Sequence, residues 1–171
     1  MSIDIKGWSF TSDQGDFTLE NPHQTSYLYF PLANQGGIMS SITPTLHGDI
    51  KNSHNSFLTM PVSVETLQDS FQSRNFWLNI VGFGAWSAAG VSHLQLADTI
   101  KEEVHLDAGL LWHKLTRENR ELGLCAETTS FVPANTHKVE LMKVTITNRS
   151  KEAKTFTATA AIPIYGRSAD N

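Results

Sequence analysis

The chain has 171 residues, 40% of them hydrophobic and 18% charged, with 11 glycines and 6 prolines. This is a globular composition with room for one domain, residues 1–171, around a real core; it excludes collagen-like and low-complexity classes. The formal net charge is −4, and the densest basic patch, Lys114, Arg117 and Arg120, is broken by Glu118 and Glu121. That patch reads as a solvated hairpin tip, and no nucleic-acid partner is expected.

The first residues, Met1-Ser2-Ile3-Asp4-Ile5-Lys6, lack the basic and apolar regions of a signal peptide, so a cytoplasmic protein is expected. Strands are predicted at Trp8–Phe10, Asp16–Leu19, Ser26–Leu32, Ser56–Met60 and Phe76–Val81, with turns at Gly36-Gly37 and His47-Gly48-Asp49. Val64, Leu67 and Phe71 stand at helical spacing and predict one short helix, Val64–Phe71. Asn75–Ala97 carries no charged residue, but its apolar positions come in short clusters broken by glycines and polar groups. It reads as strands and turns, not as a membrane span, which needs about 20 predominantly apolar residues. His93–Val104 fits a helix through Leu96, Ile100 and Val104, and fits loop and strand through its flanks.

The second half alternates more regularly. Ala108–Thr116 and Leu122–Val132 flank the polar connection Arg117–Glu121 and predict a hairpin. His137–Asn148 places Val139, Leu141, Lys143 and Thr145 on one face and Glu140, Met142, Val144 and Ile146 on the other; its β-branched residues favour a strand. Thr155–Ile162 follows a polar turn, so Gly109–Ile162 is expected to form a four-stranded meander that Pro163 ends. Many short strands between turns imply an all-β, antiparallel β-sandwich. The apolar run Ile162-Pro163-Ile164-Tyr165-Gly166, five residues before the last, suggests a domain or fragment of a larger chain, incomplete at its C-terminus.

Motifs for chemistry are sparse. The single cysteine, Cys125, cannot pair within the chain and sits in an apolar strand pattern, where a buried inert thiol is expected. Seven histidines are scattered with no H-E-x-x-H motif. His47, Asp49 and His54 could converge across a loop on a metal; solvated loop histidines are the plainer reading, and no metal is expected. His105 and Asp107 share one strand face. Gly82-Phe83-Gly84 is a turn and not a dinucleotide fingerprint. Glu102 and Glu103 are adjacent, so on a strand they point apart and cannot form a catalytic pair. Of the four tryptophans, Trp77 and Trp112 suit a core; Trp86, in the flexible setting Gly84-Ala85-Trp86-Ser87, fits core packing and also an exposed ring for stacking on sugar C–H faces.

Several stretches resemble one family. Tyr27-Leu28-Tyr29-Phe30-Pro31-Leu32, Met39-Ser40-Ser41-Ile42-Thr43-Pro44 with Gly48-Asp49-Ile50-Lys51, Pro61-Val62-Ser63-Val64-Glu65 and Ser73-Arg74-Asn75-Phe76-Trp77 are similar to the N-terminal region of the 1,2-β-oligoglucan (sophorooligosaccharide) phosphorylases. These belong to glycoside hydrolase family 94, formerly glycosyltransferase family 36. Gly109–Lys114, Thr129–Pro133, Val139–Asn148 and Ile164–Asn171 agree. The resemblance implies a galactose-mutarotase-like sandwich joined to an (α/α)6 barrel that holds the general acid and the phosphate site. The whole enzyme would split β-1,2-glucooligosaccharides by inverting phosphorolysis, with inorganic phosphate as co-substrate, to α-glucose 1-phosphate.

No catalytic residue transfers to this chain, and no cofactor is implied. Trp86, with Arg74 and Asp49 from the motifs above, are the candidate carbohydrate-binding residues. The implied partners are a β-glucan or oligosaccharide, the barrel, and a second copy in a homodimer; no membrane is implied. A free-standing carbohydrate-binding module and a small aldose-epimerase-like enzyme are the alternatives.

Overall fold

The computed structural model describes residues 7–25, 28–63, 65–66, 74–165 and 167–168. Among the described residues, fourteen strands run β1 Trp8–Phe10, β2 Phe17–Glu20, β3 Phe30–Ala33, β4 Met39–Ile42, β5 Ile50–Ser53, β6 Ser56–Phe57, β7 Asn75–Ile80, β8 Gly84–Ser87, β9 Glu103–Gly109, β10 Trp112–Asn119, β11 Leu124–Phe131, β12 Leu141–Asn148, β13 Phe156–Ala161 and β14 Arg167–Ser168. A 3-10 turn, Pro22–Gln24, and one short helix, α1 His93–Leu96, interrupt them. Val64–Phe71, predicted as a helix, lies largely outside the described residues.

The strands form an antiparallel sandwich. A six-stranded sheet in the order β1-β2-β9-β10-β11-β12 faces two smaller sheets, β13-β7-β8 and β14-β6-β5-β4-β3. Alternation explains the layering. On β9 and β10, Val104, Leu106, His113 and Leu115 point inward and are buried, while His105, Asp107 and Lys114 point outward. Leu19, Leu106 and Leu115 meet Leu32, Ile42 and Leu46 in one half of the core. Leu124 and Ala126 meet Leu78, Ile80 and Trp86 in the other.

Three departures from expectation have local causes. The strand expected at Ala108–Thr116 is two strands: the chain reverses at Leu110-Leu111, where Leu111 holds φ 63° and no turn residue announces the reversal. The next turn falls later than expected. Arg117 is still in β10, and Asn119 Oδ1 accepts from the Leu122 backbone N–H at 2.9 Å to close it.

The meander is also corrected. β9, β10, β11 and β12 are consecutive neighbours, but β13 leaves their sheet and pairs with β7, Phe156 opposite Ile80. The strand at His137–Asn148 begins only at Leu141, because Glu140 is drawn inward to Arg74 and His137 lends its carbonyl to Asn34 Nδ2 at 2.7 Å. Its two faces are as expected, with Met142, Val144 and Ile146 the more buried set.

Edge strands β12 and β13 leave part of the inner surface open. Phe156, on β13 opposite buried Ile80, and Ile162, just beyond that strand, are exposed apolar residues there. Among the described residues, no helix is long and apolar enough to cross a membrane.

A polar cleft at the strand ends as candidate functional site

Where β9 begins and β10 ends, residues 88–102 and the 3-10 turn enclose a cleft. It has two lobes of about 540 and 870 Å³ that share His23, Gln24, Asp98, Ile100 and Glu102. The smaller lobe lies within the range of about 300–1,000 Å³ typical of small-molecule sites.

The floor is an ion pair. Arg117, inward-facing on β10, is 5% exposed, and its Nη1 lies 2.6 Å from Glu102 Oε2. Nε and Nη2 donate to the carbonyls of Ala88 and Ala89. Glu102 also accepts from the indole N–H of Trp86 and from Gln95 Nε2 at 3.0 and 3.2 Å, so both of its oxygens are engaged.

Gly90 lies flat on the guanidinium. With φ 84°, it leaves no room for a side chain, since a Cβ there would stand 2.2 Å from Arg117 Nη2. Gln95 ties the wall together: its side chain accepts from the backbone N–H of Ser87 and Ser92 and donates to Ser87 O. Ser92 and Gln95 form a capping box on α1. The S-x-x-Q spacing of Ser92-His93-Leu94-Gln95 is the sequence signal that marks this helix start.

The rim carries His23, Gln24, Thr45, His47 and Asp98. His23 sits on the 3-10 turn, which Asn21 anchors by donating its backbone N–H to Val104 O at 2.8 Å. Packing against its inner side, then the Arg117 charge, hold the His23 imidazole below its ordinary value, although Glu102 and Asp98 pull the other way. His47 is buried, with Nδ1 3.2 Å from Thr45 Oγ1.

Strained backbone gathers around the same cleft. Of the four non-glycine residues with positive φ among those described, Asn21 and Asp98 line it and Leu46 lies between Thr45 and His47. Such conformations cost of order 1–3 kcal/mol and gather at functional sites.

The sequence-predicted site residues do not converge there. Trp86 is completely buried, its ring in the core beside Leu78 and Leu124. The exposed-ring reading is therefore corrected in favour of core packing: β8, which begins at Gly84, carries Trp86 inward to Glu102. Arg74 is 1% exposed. It pairs through Nε and Nη2 with Glu140, itself buried, and its remaining N–H groups reach Ser40 Oγ and the carbonyls of Ser41, Leu46, Gly48 and Asp49. Arg74 is thus a clamp on the 40–49 loop. Asp49 is also buried; it accepts from Ser41 Oγ and the Val62 backbone N–H and borders a separate groove with Tyr29 and Lys51.

The basic patch behaves differently from a solvated tip. Arg117 is interior, Lys114 pairs with Asp107 at 2.7 Å on the outer face, and Arg120 pairs with Glu103 in solvent. Glu102 and Glu103 do point apart, one into the cleft floor and one outward.

The histidines are dispersed. His105 lies on the outer face between Glu20 and Asp107. Burial works to raise the Asp107 carboxyl, but hydrogen bonds and charge from Lys114 and His105 outweigh it and hold it below the usual value. His113 points to the opposite, inner face. It is fully buried beside Phe30, and burial followed by the Arg74 charge holds it down to about 3. Among the described residues, no three His, Cys, Asp or Glu side chains gather as a metal site. Cys125 is buried, which pushes its thiol up, in line with an inert core cysteine.

No protein-family model matches the chain, and no curated protein matches it.

Proposed function

We propose that the chain is the non-catalytic N-terminal β-sandwich, of the galactose-mutarotase-like type, of an inverting β-glucan phosphorylase. In this reading a separate (α/α)6 barrel performs the phosphorolysis of β-1,2-glucooligosaccharides, and the sandwich serves domain packing. Its motif resemblance in both halves of the chain supports the family.

The observation that carries the non-catalytic role is the commitment of the buried carboxylates. Both oxygens of Glu102 are engaged by Arg117, Trp86 and Gln95, and Glu140 is held by the Arg74 guanidinium. A glycosidic general acid must offer a proton to a leaving oxygen, and neither carboxylate presents a free oxygen to a substrate. The exposed apolar side chains of Phe156 and Ile162 at the β13 edge fit packing against further protein surface.

The chain incubated with β-1,2-glucooligosaccharides and inorganic phosphate should release no α-glucose 1-phosphate; release overturns the non-catalytic role. Produced together with the (α/α)6 barrel of a β-1,2-oligoglucan phosphorylase, it should co-purify as a stoichiometric complex. Separate elution of the two overturns the packing role. The cleft favours a second reading, a free-standing carbohydrate-binding module, in which the chain binds sugar without any barrel.

A further inference from the structure

We propose that the cleft over Arg117 and Glu102 binds a neutral, hydroxyl-rich ligand of mono- or disaccharide size. Charge comes first. Arg117 and Glu102 neutralise one another at 2.6 Å, so the floor offers no net charge to hold an anion or a cation. A phosphate entering the lobe would meet Asp98 and Glu102, and a cation would meet Arg117.

Hydrogen-bonding capacity comes next. Arg117 donates three of its five N–H groups, to Ala88 O, Ala89 O and Glu102. Its other two N–H groups have no acceptor among the described residues, and the guanidinium lines the lobe. Both Glu102 oxygens are already engaged by Arg117, Trp86 and Gln95, and further ligand-facing acceptors stand on the rim, in Asp98, Gln24 and the His23 imidazole. A hydroxyl both donates and accepts, and can bridge a guanidinium donor and a rim acceptor where a purely anionic or purely cationic group cannot.

Apolar surface completes the match. Val91, Leu96 and Ile100 line the same lobe, and they suit the C–H faces of a sugar ring. The strained backbone at Asn21, Leu46 and Asp98 places these groups and is the kind of conformation retained where a ligand is held. The choice of a β-linked glucose disaccharide as probe rests on the family reading above; the chemistry of the cleft does not.

The test is a titration of the ¹⁵N-labelled chain with glucose, with a β-1,2-linked glucose disaccharide and with inorganic phosphate. The expected result is saturable shifts of the Gly90, Val91, Asp98 and Thr99 amides with a sugar, and none with phosphate. Leu96→Trp, at an exposed rim position, should close the lobe and weaken binding by at least about tenfold, or about 1.4 kcal/mol. His23→Ala, also exposed, should weaken it while leaving the rest of the spectrum in place. Absence of saturable sugar shifts, shifts centred elsewhere, a preference for phosphate, or unchanged affinity in Leu96→Trp overturns the proposal. None of those results bears on glucose 1-phosphate release or on complex formation with the barrel, so the two readings fail separately.

Discussion

His113 should make the domain acid-sensitive, and replacing it should remove that sensitivity. Its ring is fully buried on the inner face of β10, 5.2 Å from the Phe30 ring, and neither ring nitrogen has a hydrogen-bond partner among the described residues. Burial and the Arg74 charge hold its folded-state value at about 3, against 6.5 for the free side chain. The folded state therefore refuses a proton that the unfolded chain accepts. The contribution of His113 is complete above pH about 6.5, and it is lost as pH falls towards about 3.

At about 1.36 kcal/mol per pH unit, about 2 kcal/mol has gone by pH 5 and about 4 kcal/mol by pH 3, where the folded ring is half protonated. His113→Leu is close in volume and forfeits no hydrogen bond. It should equal or exceed the wild type at pH 7.5, because it removes unpaired polar atoms that cost about 1–3 kcal/mol. Between pH 7.5 and 5 it should lose about 2 kcal/mol less than the wild type. Urea unfolding of both proteins at the two pH values measures this, and acid effects of other groups cancel in the difference. Parallel losses in the two proteins would refute the reasoning, as would a large destabilisation of His113→Leu at pH 7.5.

The Arg74–Glu140 pair is a buried ion pair broken most expensively from one side. Arg74→Met should cost about 3–5 kcal/mol in chemical denaturation, and the double variant Arg74→Met/Glu140→Leu clearly less. Trp86→Ala should destabilise by about 3–5 kcal/mol, as a core truncation does, measured by the same unfolding curves. Gly90→Ala should cost more than Gly82→Ala. Both glycines have φ above 80°, but a Cβ at Gly90 collides with the Arg117 guanidinium and one at Gly82 meets nothing within 4 Å. The difference in thermal midpoint between the two variants reads the collision alone.

The β character was legible because alternation is local. The inward set of β12 and the polar turn after it follow from period-two patterning of neighbours. The structure resolves the ambiguity of His93–Val104 into a short helix, capped by Ser92 and Gln95, followed by a strand. The turn at Leu110-Leu111 was not legible, since two leucines carry no turn chemistry and only the pairing of β9 with β10 places Leu111 in the left-handed region. Trp86 misled for a related reason. A glycine-flanked tryptophan resembles a surface ring until its strand is seen to pair with β7 and face the core.

By itself, the sequence determined that this is an antiparallel β protein, and which residues alternate along its strands. Those properties are written in steps of two residues. Only the tertiary structure decided which strands meet, that β13 joins β7 and not β12, and that Arg74 finds Glu140 while Arg117 finds Glu102. Charges far apart in the chain were brought together because the core closes around them, and a buried guanidinium is stable only with a carboxylate at hand. The cleft exists for the same reason: its floor is that ion pair, and its walls come from segments that no local pattern connects.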